Sequence, residues 1–203
     1  MDYIESIEKG KYTVKIVRDE DSSSPREWDN LGTFVNFHSK YNIGDENEKT
    51  DFIEYMEQKF NFNEDYDDQQ TYIDRMMEKF SEKHIVLPVY MYDHSGITIN
   101  TTGFHCPWDS GQVGFIYVSK EKVRKEYGWK LITKKRIETI EHWLNNEIKI
   151  LDQYLTGEVY GFEIEDENED IIDSCYGFYG MDDVKAQALD IVDHLLESDK
   201  KEK

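Results

Sequence analysis

Residues 84–102, HIVLPVYMYDHSGITINTT, decide the architecture of this chain. A run rich in Val, Ile, Tyr and Met reads as a buried strand, Ser95-Gly96 supplies a tight turn, and Ile97-Thr98-Ile99 starts a second strand. Two strands joined by so short a turn must be antiparallel. Pro88 has no backbone N–H to give to a ladder, so its place in the first strand predicts an edge or a bulge.

The pattern extends outward in both directions. GQVGFIYVS (111–119) predicts a third strand. Ser119 then caps a short helix ending near Gly128, and Thr133 caps a long one. In the long helix Ile137, Ile140, Leu144, Ile148, Leu151 and Leu155 keep a 3.6-residue period up to Gly157. EVYGFEIED and DIIDSCYGF flank Glu167-Asn168-Glu169 as a hairpin, and residues 181–197 form an amphipathic helix through Val184, Ala188, Ile191, Val192 and Leu195. Toward the N-terminus, KYTVKIVRDE alternates Tyr12, Val14 and Ile16 with charged residues, the period of a half-buried strand. Phe52, Ile53, Met56 and Phe60 make one helical stripe, and Tyr72, Ile73, Met76, Met77 and Phe80 another. Strands in hairpin-length pairs, with no βαβ rhythm, predict an α+β fold with a mostly antiparallel sheet packed with amphipathic helices. The expected organisation is a single compact domain over 1–203, with the acidic helical subregion at about 48–83 as a candidate insertion.

Charge narrows the functional classes. The 203 residues include 44 acidic and 24 basic ones, a formal net charge of -20. Affinity for nucleic acid comes from Lys and Arg neutralising phosphates, so a conventional nucleic-acid binder is excluded. Aromatics at 14% argue that the acid is mounted on a folded scaffold and not on a disordered tail. No stretch approaches the roughly 18 apolar residues of a membrane span, and the first ten residues lack a signal peptide's basic and apolar blocks. These features predict a cytoplasmic protein with no membrane contact. Cys106 and Cys175 are the only thiols, too few for a disulfide framework. Cys175, in an apolar strand, is expected in the core.

The acid is segregated. Residues 42–82 carry 13 acidic and 4 basic residues, and 150–184 carry 11 acidic residues and no Lys or Arg. Asp67, Asp74, Glu78 and Glu82 recur along one helix face, and Asp183, Asp190, Asp193 and Glu197 along another. Glu163 and Glu165 alternate with Tyr160, Phe162 and Ile164, which predicts acid on one sheet face and core on the other. Carboxylates three or four apart on a helix lie about 5–6 Å from one another, a scale close to the spacing of phosphates along a nucleic-acid strand. Rows of like charge cost tenths of a kcal/mol per pair, and solubility needs a net charge of only about 2–8. A phosphate-mimicking surface is therefore expected, aimed at the basic nucleic-acid channel of another protein. The opposite sign collects at Lys120, Lys122, Arg124, Lys125, Lys134, Lys135 and Arg136, a segment that could contact RNA or an acidic protein patch.

Chemistry-bearing residues are sparse. Asp93, His94, His105, Cys106 and Asp109 are zinc-ligand or nucleophile types, but the adjacent His105-Cys106 pair lacks the matched short spacing of a structural zinc site. Cys106 with His94 or His38 is a candidate nucleophilic pair if the fold brings them together. Asp29, Asn30, His38 and Asp45, beside His94 and His105, form the alternative set for a metal-dependent enzyme acting on nucleic acid or nucleotide. No P-loop, dinucleotide fingerprint, HExxH or GxSxG occurs, so no cofactor is expected and an enzyme is the weaker reading. A host-regulatory adaptor is a third.

SSSPREWDNLGTF (22–34) reads as a structural anchor: Arg26 and Glu27 can pair with neighbours, Trp28 offers a large apolar body, and Asp29 to Gly32 have turn chemistry. Its SPREWDNLG block, with HSKYNIGD (38–45) and DSCYGFYG (173–180), resembles a family of small acidic proteins carried by bacteriophages and plasmids. That resemblance implies a mobile-element origin and an anti-restriction or anti-CRISPR role inside a bacterial host cell, with no catalytic residues to carry over.

Overall fold

A computed structural model describes residues 3–45, 48–59 and 69–201. The architecture is α+β, with five helices and two four-stranded antiparallel sheets among the described residues. Where a single compact domain over 1–203 is expected, backbone contacts group the chain into two compact units. The terminal unit joins Met1–Pro25 to Ile150–Lys203, and the central unit is Arg26–Lys149.

The terminal unit is a sheet in the order β1-β2-β7-β8, built from β1 (Glu5–Lys9), β2 (Tyr12–Arg18), β7 (Val159–Glu165) and β8 (Ile171–Tyr179). Helix α5 (Met181–Lys201) lies on one face, where Val184, Ala188 and Val192 meet Tyr12, Val14, Ile16, Phe162 and Ile164. The period-2 reading of β2 and the 3.6-period reading of α5 fall on these contacts. Strand β1 escapes the sequence reading because Ile7 is its one apolar residue. It is held instead by its ladder to β2 and by ion pairs from Glu5 to Lys185 and from Lys9 to Asp193, both 2.6 Å. Cys175 is a correction: β8 is the sheet's outer strand, and the thiol is exposed there instead of lying in the core. An apolar neighbourhood in sequence does not bury an edge strand that no further strand covers.

The central unit holds the sheet β3-β6-β4-β5, from β3 (Thr33–Asn36), β4 (His84–Asp93), β5 (Ile97–Asn100) and β6 (Ser110–Ser119). The β4–β5 hairpin turns at Ser95-Gly96 as its sequence requires, pairing Asp93 with Ile97. Pro88 lies on the stretch of β4 beyond β5's reach, beside a bulge at Val89/Tyr90, so its missing N–H interrupts no ladder bond to β5. On one face α1 (Glu48–Lys59) and α2 (Gln69–Lys83) bring Phe52, Met56 and Phe80 against Val35 and Phe115. Phe60 lies outside the described residues. Helix α3 (Lys120–Tyr127) starts at Ser119, whose hydroxyl accepts the Lys122 N–H at 3.0 Å, and ends at Gly128 in the left-handed region. At the start of helix α4 (Lys134–Leu155) the Thr133 hydroxyl accepts the Arg136 N–H at 3.4 Å, and the helix buries Ile140, Leu144, Ile148 and Leu151. No helix among the described residues is long and apolar enough to cross a membrane.

Phe162 is fully buried between β2 and β8 under α5. Replacing it with Ala is expected to cost about 3–5 kcal/mol, read as a lowered urea midpoint in chemical denaturation.

Candidate functional site

The loop 22–34 resolves into a knot around Arg26. Pro25–Glu27 make one 3-10 turn, which directs the Arg26 side chain inward until it is 7% exposed. Its Nε and Nη2 donate to the two oxygens of Asp45 at 2.6 and 2.8 Å, a bidentate pair, and Nη1 donates to Glu147 at 3.0 Å. Nη2 also donates to the Gly32 carbonyl at 2.8 Å. Glu147 Oε1 accepts the N–H groups of Leu31 and Gly32 at 3.0 and 3.1 Å, and Asp45 accepts the Phe34 N–H at 2.9 Å. A Cβ at Gly32 would meet Leu144 and Ile116 at 2.5 and 2.8 Å, so only glycine lets the loop lie this close to α4 and β6. Burial alone would lower the guanidinium pKa, but Asp45 and Glu147 outweigh it and hold the charge firmly in place. Trp28, expected as the anchor, is 46% exposed; Arg26 carries that role because its fork satisfies three loop and helix acceptors at once. Asp45, a candidate for metal chemistry, is committed to this pair.

His38 is also structural. Its Nδ1 accepts the N–H groups of Lys40 and Tyr41, both at 3.2 Å, and its ring stacks on Tyr41 with centroids 5.1 Å apart. Tyr41 donates its hydroxyl to Asp93 at 3.0 Å, and Lys40 donates to the same oxygen at 3.3 Å. The hydrogen bond from Tyr41, with Lys40, holds the Asp93 carboxyl below the ordinary range. Asp29 is exposed, and the Asn30 amide donates to the Trp28 carbonyl within its own turn. The structure therefore does not bring Asp29, Asn30, His38 and Asp45 together as one reactive set.

At the far end of the β4–β5 hairpin, Asp109 lies between the other candidates. His94 Nδ1 is 3.5 Å and Cys106 Sγ 3.9 Å from its Oδ2. A nucleophilic pair needs the imidazole against the thiol, and here a carboxylate faces both. His105 is exposed and has no part in the arrangement. Among the described residues no group of three or more His, Cys, Asp or Glu side chains is placed to hold a metal.

The acidic rows fare differently from one another. On α5 Asp183, Asp190, Asp193 and Glu197 are all exposed, within a row that spans about 21 Å of helix. Asp193 pairs with Lys9 and Asp190 faces His194 at 3.7 Å. On α2 Glu78 and Glu82 are exposed, while the Asp74 side chain and Asp67 lie outside the described residues. Glu165 is a correction: it is buried and bonded to Lys15 at 2.5 Å, because β7 is an inner strand and Lys15 on β2 faces the same side. Glu163 is half-buried and accepts the Tyr176 hydroxyl at 2.8 Å. The basic segment is partly internal as well. Lys120 donates to the Ser81 and Glu82 carbonyls at the end of α2, Lys122 to the Asn30 and Leu31 carbonyls, and Arg136 to the Leu131 carbonyl. Arg124, Lys125, Lys134 and Lys135 are exposed.

One half-buried histidine was not singled out from sequence. His84 stacks on Phe80 with centroids 3.8 Å apart and bonds the Phe80 carbonyl through Nδ1 at 3.0 Å, beside Tyr55 and Tyr117. Burial lowers its pKa from the ordinary 6.5; the Phe80 bond opposes this, and Lys120 and Lys83 add to it. Only the fold reveals this, since the aromatic cage comes from three separate elements.

Comparison with protein-family models, with curated proteins and with solved structures finds no match to this chain.

Two outcomes follow from this geometry. Arg26→Ala leaves two half-buried carboxylates uncompensated and should cost about 3 kcal/mol; Arg26→Lys, which loses the bidentate fork, should recover only part of it in urea denaturation. Because the unfolded chain takes up the His84 proton more readily, the stability from neutral His84 is complete above its ordinary 6.5 and is lost as pH falls below that value. Thermal midpoints between about pH 7.5 and about pH 5.5 should therefore decline, and His84→Phe should flatten the decline.

Proposed function

We propose that this chain is a non-enzymatic inhibitor of mobile-element origin. It occupies the positively charged nucleic-acid channel of a host-defence enzyme, a Cas9-type CRISPR effector or a restriction enzyme, with carboxylates standing where phosphates would. The observation that carries the reading is the division of charge between the units. The terminal unit has 22 acidic and 8 basic residues, the central unit 22 and 16. Its α5 presents Asp183, Asp190, Asp193 and Glu197 outward.

The internal uses of acid sharpen the point. Asp45, Glu147 and Glu165 stabilise the fold through Arg26 and Lys15. Within the α5 row Asp193 holds Lys9 of β1, while Asp183, Asp190 and Glu197 face outward and accumulate like charge along one helix. A field of this sign steers a basic partner and weakens with salt. The resemblance of the 24–32, 38–45 and 173–180 blocks to acidic phage and plasmid proteins supports the same direction.

The test is nuclease inhibition by the full chain in a salt series. Inhibition should fall steeply from about 50 to about 500 mM salt, and Asp183→Lys, Asp190→Lys, Asp193→Lys and Glu197→Lys together should raise the half-inhibitory concentration by about a hundredfold or more. Inhibition that ignores both changes defeats the proposal. Cleavage of guide RNA or DNA by the chain with magnesium, lost in His38→Ala, would establish the enzymatic alternative instead.

A further inference from the structure

Helix α5 covers one face of the terminal unit's sheet. On the opposite face the register sets Ile4 beside Val17, and Lys15 beside Glu163 and Glu165. Bulges in the β7–β8 ladder turn Tyr176 inward over Gly161, where any Cβ would run into its ring. That ring is held in place, since its hydroxyl donates to Glu163. Tyr3, Ile4 and Tyr176 remain 54%, 45% and 42% exposed. With the Val17 strand end and the Asp19-Glu20-Asp21 turn they enclose an open groove of about 880 Å³.

The groove is aromatic on its walls and anionic on its rim. The Tyr3 ring already meets a cation from outside the groove: the Lys15 ammonium lies 5.7 Å from its centroid. Arg18, the one cation lining the groove among the described residues, donates Nη1 to the Gly157 carbonyl at 3.0 Å. Asp19 Oδ1 accepts the Asp21 N–H at 3.2 Å, which sets both carboxylates on one short turn. Charge complementarity selects a cationic occupant. A second copy of this chain would set acid against acid in a unit with 22 acidic and 8 basic residues.

We propose that this groove docks an arginine side chain of a basic partner protein, its guanidinium against Tyr3 and Tyr176 and its N–H donors on Asp19 and Asp21. The proposal rests on the reading of the chain as an inhibitor of a basic protein and adds a chemical preference to it. Coulomb steering by α5 ranks partners by charge alone. The groove ranks arginine above lysine, because the planar, weakly hydrated guanidinium stacks on rings and bridges carboxylates, whereas an ammonium is a strongly hydrated point charge.

The probes are a short peptide bearing several arginines and its all-lysine counterpart, titrated into the full chain by calorimetry at low salt. The arginine peptide should bind about fivefold tighter or more, and Tyr3→Leu with Tyr176→Leu should abolish that preference. Tyr3→Leu alone, at an exposed position, should reduce it, and circular dichroism confirms that each variant is folded. Asp19→Asn with Asp21→Asn should weaken the arginine peptide more than the lysine one. Asp183→Lys, Asp190→Lys, Asp193→Lys and Glu197→Lys together should weaken both peptides alike and leave their ratio intact. Equal affinity for the two peptides, or a preference that survives loss of both tyrosines, overturns the proposal. If the preference holds while charge reversal on α5 leaves nuclease inhibition unchanged, the inhibitor reading fails and the arginine site stands.

Discussion

The central unit depends on one buried guanidinium. Arg26 reaches Asp45 and Glu147, residues 19 and 121 positions away in the chain, and ties both to the backbone of the 31–34 segment. An ion pair this enclosed gains little net stability over an apolar cluster, because desolvation offsets the Coulomb term. Its contribution is to register: it sets where β3 begins, how near Gly32 comes to Leu144, and which face of α4 carries Glu147. The SPREWDNLG block is thus a structural joint, whose turn Asn30 closes on the Trp28 carbonyl.

The carboxylates of this chain divide by what they touch. Asp45, Glu147 and Glu165 meet a cation or a backbone N–H inside the fold. Asp166 does the same on a small scale, where the N–H groups of Asn168 and Asp170 close the β7–β8 turn and hold its pKa down. Others, such as Asp183, Asp190 and Glu197 on α5, are exposed. Composition cannot separate these two populations, since both are the same residue types at the same spacings. The distinction matters for function, because only the outward set can meet a partner.

The sheet of the terminal unit is asymmetric in a way that follows from its strand order. With β8 at one edge and α5 on one face, the apolar residues of β2 and β7 find cover while Ile171, Ile172 and Tyr176 on β8 do not. Charge at the 166–170 turn and at Asp173 keeps this edge hydrated, a known device against unwanted strand pairing.

Most of the element pattern was legible in the sequence, because local periodicity is enforced by the backbone itself. The Ser95-Gly96 hairpin, the Ser119 and Thr133 caps and the stripes on α4 and α5 each depend on neighbours within a turn or two. What tertiary structure decided was pairing across long separations. That Lys15 neutralises Glu165, that Cys175 lies on an outer strand, and that Phe80 and Tyr117 enclose His84 all turn on which strands and helices become neighbours. Strand β1 belongs to the same class, since one apolar residue cannot announce a strand whose stability comes from a partner ladder and two ion pairs to α5. Hydrophobic period and turn chemistry are properties of a segment, whereas burial and charge compensation are properties of a position in space.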